Sequence, residues 1–404
     1  MARSRPLVFS DVAVLVVVLS AGLILALMIA VVLPVAPAIA SHFGGATQGK
    51  LIAQYFIAIS GLGVMVGAPL AGLALDRFGF RLVVVAVLSL YILAGLAGMV
   101  LDNAPALLGS RLLIGAAAGG FSSSSIALLG HRWEGPARAK IVGRVTAIGA
   151  AAGVPIVITA GFVSQYLGWR APFALYALAL PLLLLALALP ARRPGPASES
   201  RPVRPSDWMA LAPIFIFAAL IYVVVFTTSV QFPLLLAEGG FAKSGIRSVI
   251  LASPSVVAVL AALMFERANR RLGRRGMSLL VLFLYGAGLI FMGSTSGIAL
   301  ALAPSLLCGL GLGFAASHVT HELLERAPAE MLGRASAALT SCRYLAQFLN
   351  PLTIGSLGLA VGLRTAVVVT GAAVLLWLLA RTAMSLAAMK PKTAAGPMVP
   401  PAPG

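Results

Sequence analysis

Five polar side chains recur along one otherwise apolar stretch: Ser336, Thr340, Arg343, Gln347 and Asn350. Their spacings of four, three, four and three place them on one face of an α-helix. Arg343 lies nine positions beyond Arg334, roughly 13 Å along a helix that rises about 1.5 Å per residue. If that helix crosses a bilayer, a guanidinium at this depth costs at least about 2.5–3.5 kcal/mol on insertion scales, so it must face a partner or a wet cavity. A planar, permanently charged fork of donors suits an anionic or polar-neutral group. The expected chemistry is recognition of a solute, with Arg343, Gln347, Thr340 and Asn350 lining a central cavity. A structural network between helices is the alternative.

Other polar residues in apolar runs are weaker candidates for the same cavity: Gln54 and Tyr55, Ser123, Tyr222, Thr228 and Gln231, and a second intramembrane arginine, Arg111. No Asp or Glu lies well inside any apolar run; Asp11, Asp102, Glu238 and Glu322 all fall near run ends or in loops. Proton carriers commonly use an intramembrane carboxylate or histidine, which leaves His318 as the nearest candidate, with an interfacial position the blander reading. The missing carboxylates also argue against strongly cationic solutes. His318-Val-Thr-His321-Glu322-Leu-Leu-Glu325 departs from the zinc-protease pattern H-E-x-x-H, because Glu325 stands where the second histidine belongs. No catalytic constellation, metal site or cofactor is expected, and the two cysteines read as packed thiols.

These residues need long apolar helices to hold them. Of 404 residues, 60% are hydrophobic and 10% charged, against roughly 45–50% and about 25% in ordinary soluble domains. Lipid solvates such a chain and water does not. Twelve apolar runs long enough to span are expected, as helices because lipid offers no partner to an unpaired backbone. The first, from Val12 to about Val32, is too long for a signal-peptide core of about 7–15 residues, so a retained helix is expected despite a cleavage-like pattern at Ala38 and Ala40.

The net charge of +18 invites a nucleic-acid reading until its distribution is seen. With the N-terminus on the cytoplasmic side, 22 of the 29 Lys and Arg fall on that side, five on the other, and Arg111 and Arg343 inside spans. That is the positive-inside bias of a multi-pass protein of the inner (cytoplasmic) membrane with both termini cytoplasmic, and no nucleic-acid partner is expected. The expected organisation is a cytoplasmic N-terminus over 1–11, a six-helix bundle over 12–190 and a Pro- and Arg-rich cytoplasmic linker over 191–208. A second six-helix bundle over 209–385 and a disordered cytoplasmic tail over 386–404 follow.

The halves repeat each other. Gly72, Asp76 and Arg77 align with Ala262, Glu266 and Arg267 at an offset of 190, and four extra residues near Asn269 to Leu272 then give 194 for Gly115 and Gly119 against Gly309 and Gly313. Gly143-Arg144 matches Gly333-Arg334 at 190, and Gly168-Trp169-Arg170 matches Gly362-Leu363-Arg364 at 194. A six-span duplication of this kind is related by an axis along the membrane normal, with substrate near the midplane between the halves.

Gly72-Leu-Ala-Leu-Asp76-Arg77-Phe-Gly79-Phe-Arg81 after the second span resembles the G-x-x-x-D-R-x-G-x-R signature of the major facilitator superfamily, and Arg111-Leu-Leu-Ile-Gly115 is similar to its R-x-x-x-G motif. Gly149, Gly153, Pro155 and Gly161 in span five look loosely like the Gly-Pro motif of drug:proton antiporters, although Val154 separates the Gly and Pro that the motif has adjacent. The resemblance implies an all-α membrane fold of twelve helices in two bundles that alternate access to a central site. It implies a gate in which Asp76 meets the start of span eleven, near Gly333 to Ser336, with Gly72, Arg77, Gly79 and Arg81 around it and Arg334 opposite. Glu266, Arg267 and Arg144 are the expected counterparts by symmetry. For Arg111 it implies a structural or proton-linked role.

The resulting expectation is a secondary transporter, not an enzyme: a proton-coupled exporter, of drug:proton antiporter flavour, moving small amphipathic compounds that include anions. An importer or facilitator of an organic anion is the alternative, and a membrane enzyme or sensor on the same scaffold a remote one. Its partners are a small organic solute, membrane lipid and protons as the candidate coupling ion, and it is expected as a monomer.

Overall fold

The computed structural model describes residues 9–44, 48–132, 135–189, 205–328 and 331–389, and every regular element among them is helical. Among the described residues, ten helices are long and apolar enough to cross a membrane. The longest, Ser244–Ser294, breaks at Gly273 (φ 63°, ψ 178°) and is two spans, and the shorter apolar segment Ala171–Leu187 supplies one more. The total is twelve. They are α1 (Val12–His42), α2 (Gln48–Phe78), α3 (Phe80–Ala97), α4 (Ala104–Arg132), α5 (Gly135–Leu167), α6 (Ala171–Leu187), α7 (Ser206–Glu238), α8 (244–272), α9 (274–294), α10 (Gly297–Arg326), α11 (Arg334–Val361) and α12 (Leu363–Ala383).

Several spans outrun their apolar cores. The first continues past Pro34 and Pro37 to His42 through a short 3-10 turn at Leu33–Val35, since a proline in the first turn of a new helical segment removes only a donor that would lie unpaired anyway. The eleventh runs Leu332–Asn350, makes a π turn at Pro351–Gly355 and resumes at Ser356–Val361. Of the expected termini and linker, residues 1–8, 190–204 and 390–404 lie outside the described residues. Residues 205–208 and 386–389 belong to helices.

The two bundles are the two halves of the sequence, related by a pseudo-twofold, and from α2 to α4 the backbone shows the repeat at one offset. Gly79 (φ 80°, ψ 164°) turns the chain between α2 and α3, and Gly273 does the same between α8 and α9; a side chain at either position would be strained. Gly115 of α4 sits against the Ser60 carbonyl, and Gly309 of α10 against that of Pro254. Gly119 and Gly313 repeat the contact with Val64 and Ala258. Small residues let these helices approach closely. Every pair differs by 194.

This register corrects the expected one. Because 194 holds both before and after the loop at the end of α2, no four residues are inserted there. Asp76 then corresponds to Arg270, not Glu266, and Arg77 to Arg271, not Arg267. The second-half loop reads Arg270-Arg271-Leu-Gly273-Arg274-Arg275, keeping the glycine and the outer arginine and reversing the charge where the acid stood.

Candidate functional site: a chamber between two seams

Along α11 the polar stripe passes from solvent into the protein. Ser336, Thr340 and Arg343 are exposed, while Gln347 and Asn350 on the same face are fully buried. The exposed Leu345 and Leu352 point the other way, to lipid. Arg343 therefore faces the space between the halves. Its guanidinium carbon lies 5.7 Å from the ring centroid of the buried Tyr222 on α7, a cation–π distance, and no carboxylate pairs with it among the described residues.

Beyond Arg343 the halves close on each other. In the α2·α11 seam, Gln347 Nε2 donates to the Ile57 carbonyl across the interface at 2.9 Å. Asn350 Nδ2 donates to the Val223 carbonyl (2.8 Å) and to Thr227 Oγ1 (3.0 Å), and Gln231 Nε2 donates to Asn350 Oδ1 (3.1 Å). Gln54 is buried against Gly355, and nearer the end Lys50 Nζ meets Glu238 Oε1 at 2.5 Å. In the α5·α8 seam the Ser244 hydroxyl donates to the Gly161 carbonyl (3.0 Å), the Ser248 hydroxyl reaches the Ile158 carbonyl (3.3 Å), and the Gly245 N–H donates to Gln165 Oε1 (3.1 Å). Arg247, buried at the top of α8, is held by the carbonyls of Phe241 and Ala242 and, at 3.5 Å, by Pro34 of the other half.

The arginine-rich end is built the opposite way. Thr146, Ala147, Ile148, Ala150 and Ala151 of α5 are exposed, whereas Val157, Ala160 and Gly161 further along are buried. Asp76, Arg77, Arg81, Arg144, Arg267 and Arg334 are all exposed, with Gly79 buried at its turn and Gly72 half-buried. Asp76 makes no ion pair or hydrogen bond with a described residue, and Glu266 pairs only within its own helix, with Arg270 at 3.7 Å. These polar contacts between the halves lie at the end away from the arginines, which leaves Arg343 facing the space on the basic side.

A chamber of this kind, between two repeated six-helix bundles, agrees with what the chain is similar to. Residues 18–351 match the family description "Major Facilitator Superfamily", most of the chain. The chain belongs to the major facilitator superfamily. Solved superfamily folds overlay it nearly end to end: a D-xylose–proton symporter with a TM-score of 0.68 at 16% identity, covering 92% of this chain and 97% of that one. A peptide transporter in complex with alafosfalin overlays with a TM-score of 0.72 at 15% identity, covering 92% and 94%. The nucleoside transporter NupG gives 0.70 at 13%, covering 94% and 99%. In sequence, the chain is 27% identical over 261 residues to the 3-(3-hydroxy-phenyl)propionate transporter of Escherichia coli (strain K12). That match spans 62% of this chain and 63% of that protein, less than two thirds of the relative's length. The protein is thus a multi-pass membrane protein of the superfamily.

Within this superfamily chain, Arg111 is not where a cavity residue would be. It is fully buried inside the first bundle, donating to Tyr176 Oη (2.9 Å) and the Ala94 carbonyl (3.2 Å), with the rings of Phe56, Phe173 and Tyr176 each 5.1 Å from its guanidinium carbon. Aromatic faces and carbonyls take the place of a counter-ion, so Arg111 pins α4 to α2, α3 and α6 and does not line the chamber in this state. Tyr55 and Ser123 are half-buried, and Thr228 buries its hydroxyl oxygen. His318 bonds Ser278 Oγ at 2.8 Å inside the second bundle, and Glu322 lies between Arg274 (3.4 Å) and Arg326 (3.2 Å). Among the described residues, no three His, Cys, Asp or Glu cluster as metal ligands would. The sequence reading missed Ser244, Arg247 and Ser248; their polar atoms bond backbone carbonyls, which leaves no pattern of residue types to find.

Proposed function

We propose that this transporter carries amphipathic organic anions, small aromatic carboxylates among them, by alternating access, with the basic end cytoplasmic. The observation that supports this most is Arg343: a cation on the chamber face of α11, beside an aromatic ring and lacking a carboxylate partner among the described residues. A carboxylate would complete its bidentate pairing, and the Leu, Val and Phe walls would take the solute's apolar part. The name of the E. coli relative, a transporter of a hydroxyphenyl propionate, supports the same class. Of the antiporter-like glycines, Gly149 packs against the backbone of Gly22 on α1, whereas a Cβ at Gly153 would meet nothing within 4 Å. Proton coupling and direction are read from the experiment.

Full-length protein in proteoliposomes, supplied with labelled 3-phenylpropionate under imposed pH gradients of either sign, tests this. Arg343→Ala should lower transport roughly 10- to 100-fold, the worth of a charge-assisted hydrogen bond, and Arg343→Lys less, with the melting temperature unchanged in both. Wild-type rates in Arg343→Ala would overturn the reading. The gradient that drives accumulation gives coupling and direction.

A further inference from the structure

The α2·α11 seam holds more hydrogen-bond acceptors than donors. Gln347 commits its amide N–H to the Ile57 carbonyl and Gln231 commits its own to Asn350, which fixes the way both amides point. Left over are Oε1 of Gln54, Gln231 and Gln347, all buried and without a hydrogen-bond partner. Gln231 and Gln347 are 0% exposed and Gln54 2%. These atoms are neighbours by construction. Ile57, which holds Gln347, is one turn from Gln54 on α2, and Asn350, which holds Gln231, is one turn beyond Gln347 on α11. The π turn at Pro351–Gly355 brings a glycine to Gln54 Oε1, where a Cβ would come within 2.2 Å. Such turns often mark functional sites.

Folded proteins seldom leave buried acceptors unpaired, and here several occur together in the plane that must part during transport. Opening the seam from the other end exposes these oxygens to the chamber just beyond Arg343. We infer that they form an accepting subsite for a hydroxyl or similar donor at the far end of the same anion whose carboxylate Arg343 binds, an inference that rests on the anion reading above. Gln347 and Asn350 lie four and seven residues from Arg343, roughly 6 and 10 Å along the helix, the length of a small aromatic acid. Because the closed seam hides the oxygens in the present state, the donor adds affinity only on the side opposite the basic end. The solute is then bound tightly from that side and released more readily to the basic one.

The test uses the full chain in right-side-out and inside-out vesicles, with two probes that differ by one hydroxyl: 3-phenylpropionate and 3-(3-hydroxyphenyl)propionate. Offered from the side opposite the basic end, the hydroxylated acid should have a KM about tenfold lower, and offered from the basic side the two should differ less than about twofold. Gln231→Leu and Gln347→Leu should each raise KM for the hydroxylated acid at least ~5-fold more than for the plain one; the wild-type comparison stands even where a variant fails to fold. Equal KM values from both sides, with transport still dependent on Arg343, would sink the donor subsite and leave the anion reading intact. Transport of both acids independent of Arg343 would sink the anion reading, and the subsite with it.

Discussion

The two seams stand at equivalent places in the repeat and are built from different materials. In α5·α8, the Ser244 hydroxyl donates into the Gly161 carbonyl across a glycine contact, and the helices nearly touch. In α2·α11, the places of Ser248, Gly149 and Gly153 are taken by Gln54, Arg343 and Gln347. Long amides and a cation fill the gap, and some acceptors go without donors. One duplication supplied two closures. Divergence left α5·α8 as a tight contact of small residues and put the long amides and the cation of the proposed solute site on α2·α11.

The sharpest way to break that comparison is to add one methyl group to each seam. At Gly161 a Cβ would lie 2.2 Å from Ser248 Cβ and 2.8 Å from the Ser244 carbonyl, atoms that cannot yield without moving α8. Overpacking of this kind costs about 1–3 kcal/mol, here charged to the closed seam alone, which shifts the balance of states roughly 5- to 150-fold. Gly161→Ala should therefore cut transport about tenfold or more. It should also reduce maleimide labelling of the half-buried Cys342, next to Arg343, as the basic end closes. At the equivalent Gly355 the obstruction is Gln54 Oε1, the tip of a flexible side chain, so Gly355→Ala should change transport less than about threefold. Equal effects at the two sites would mean the seams do the same job.

Much of this was legible in the chain, for identifiable reasons. The spans follow from hydropathy, which lipid acts on directly. The polar face of α11 follows from helical period, because Ser336, Thr340, Arg343, Gln347 and Asn350 lie on one continuous helix. The repeat was legible from its glycines, but its register at the end of α2 was not. Matching Glu266-Arg267 to Asp76-Arg77 by residue type misled by one helical turn, whereas the fold preserves the positive-φ glycines at 79 and 273 and tolerates a change of charge beside them. Arg111 was illegible for a different reason. Its partners Phe56, Phe173 and Tyr176 come from α2 and α6, and a cation satisfied by rings has no charge pattern to betray it.

A smaller effect is expected at the end of α2·α11, where Lys50 and Glu238 tie the halves by the one charge pair among the described residues that crosses a seam. Both side chains are about one-third exposed, and such pairs are worth about 0.2–1 kcal/mol once solvent screening is counted. Lys50→Ala should favour opening at that end by less than about fivefold, with the difference from wild type shrinking as salt is raised. A larger, salt-independent loss would move the weight of that closure from the buried amides to the ion pair.

The smallest effect separates the halves themselves. In the first half, His42 donates to Asp102 at 2.7 Å and Arg170 also pairs with that carboxylate, tying the end of α1 to the loops before α4 and α6. In the second half Arg364, at Arg170's place, donates to the Thr295 carbonyl (2.7 Å). Only the first of these can respond to acid. The hydrogen bond from His42 holds the Asp102 carboxyl below its usual 3.8; desolvation, the next influence, opposes it, and the charge of Arg170 adds to the lowering. A carboxyl depressed on folding contributes stability that is complete above its unfolded pKa and lost as pH falls through the lower folded one. Melting curves of wild type and Asp102→Asn should differ by a constant small margin from pH 7 to about pH 5 and converge below about pH 4. The difference between wild type and Arg364→Gln should not change over the same range. Convergence in both pairs would mean that acid loosens the whole bundle, and the contrast between a carboxylate tie in one half and a carbonyl tie in the other would carry no consequence.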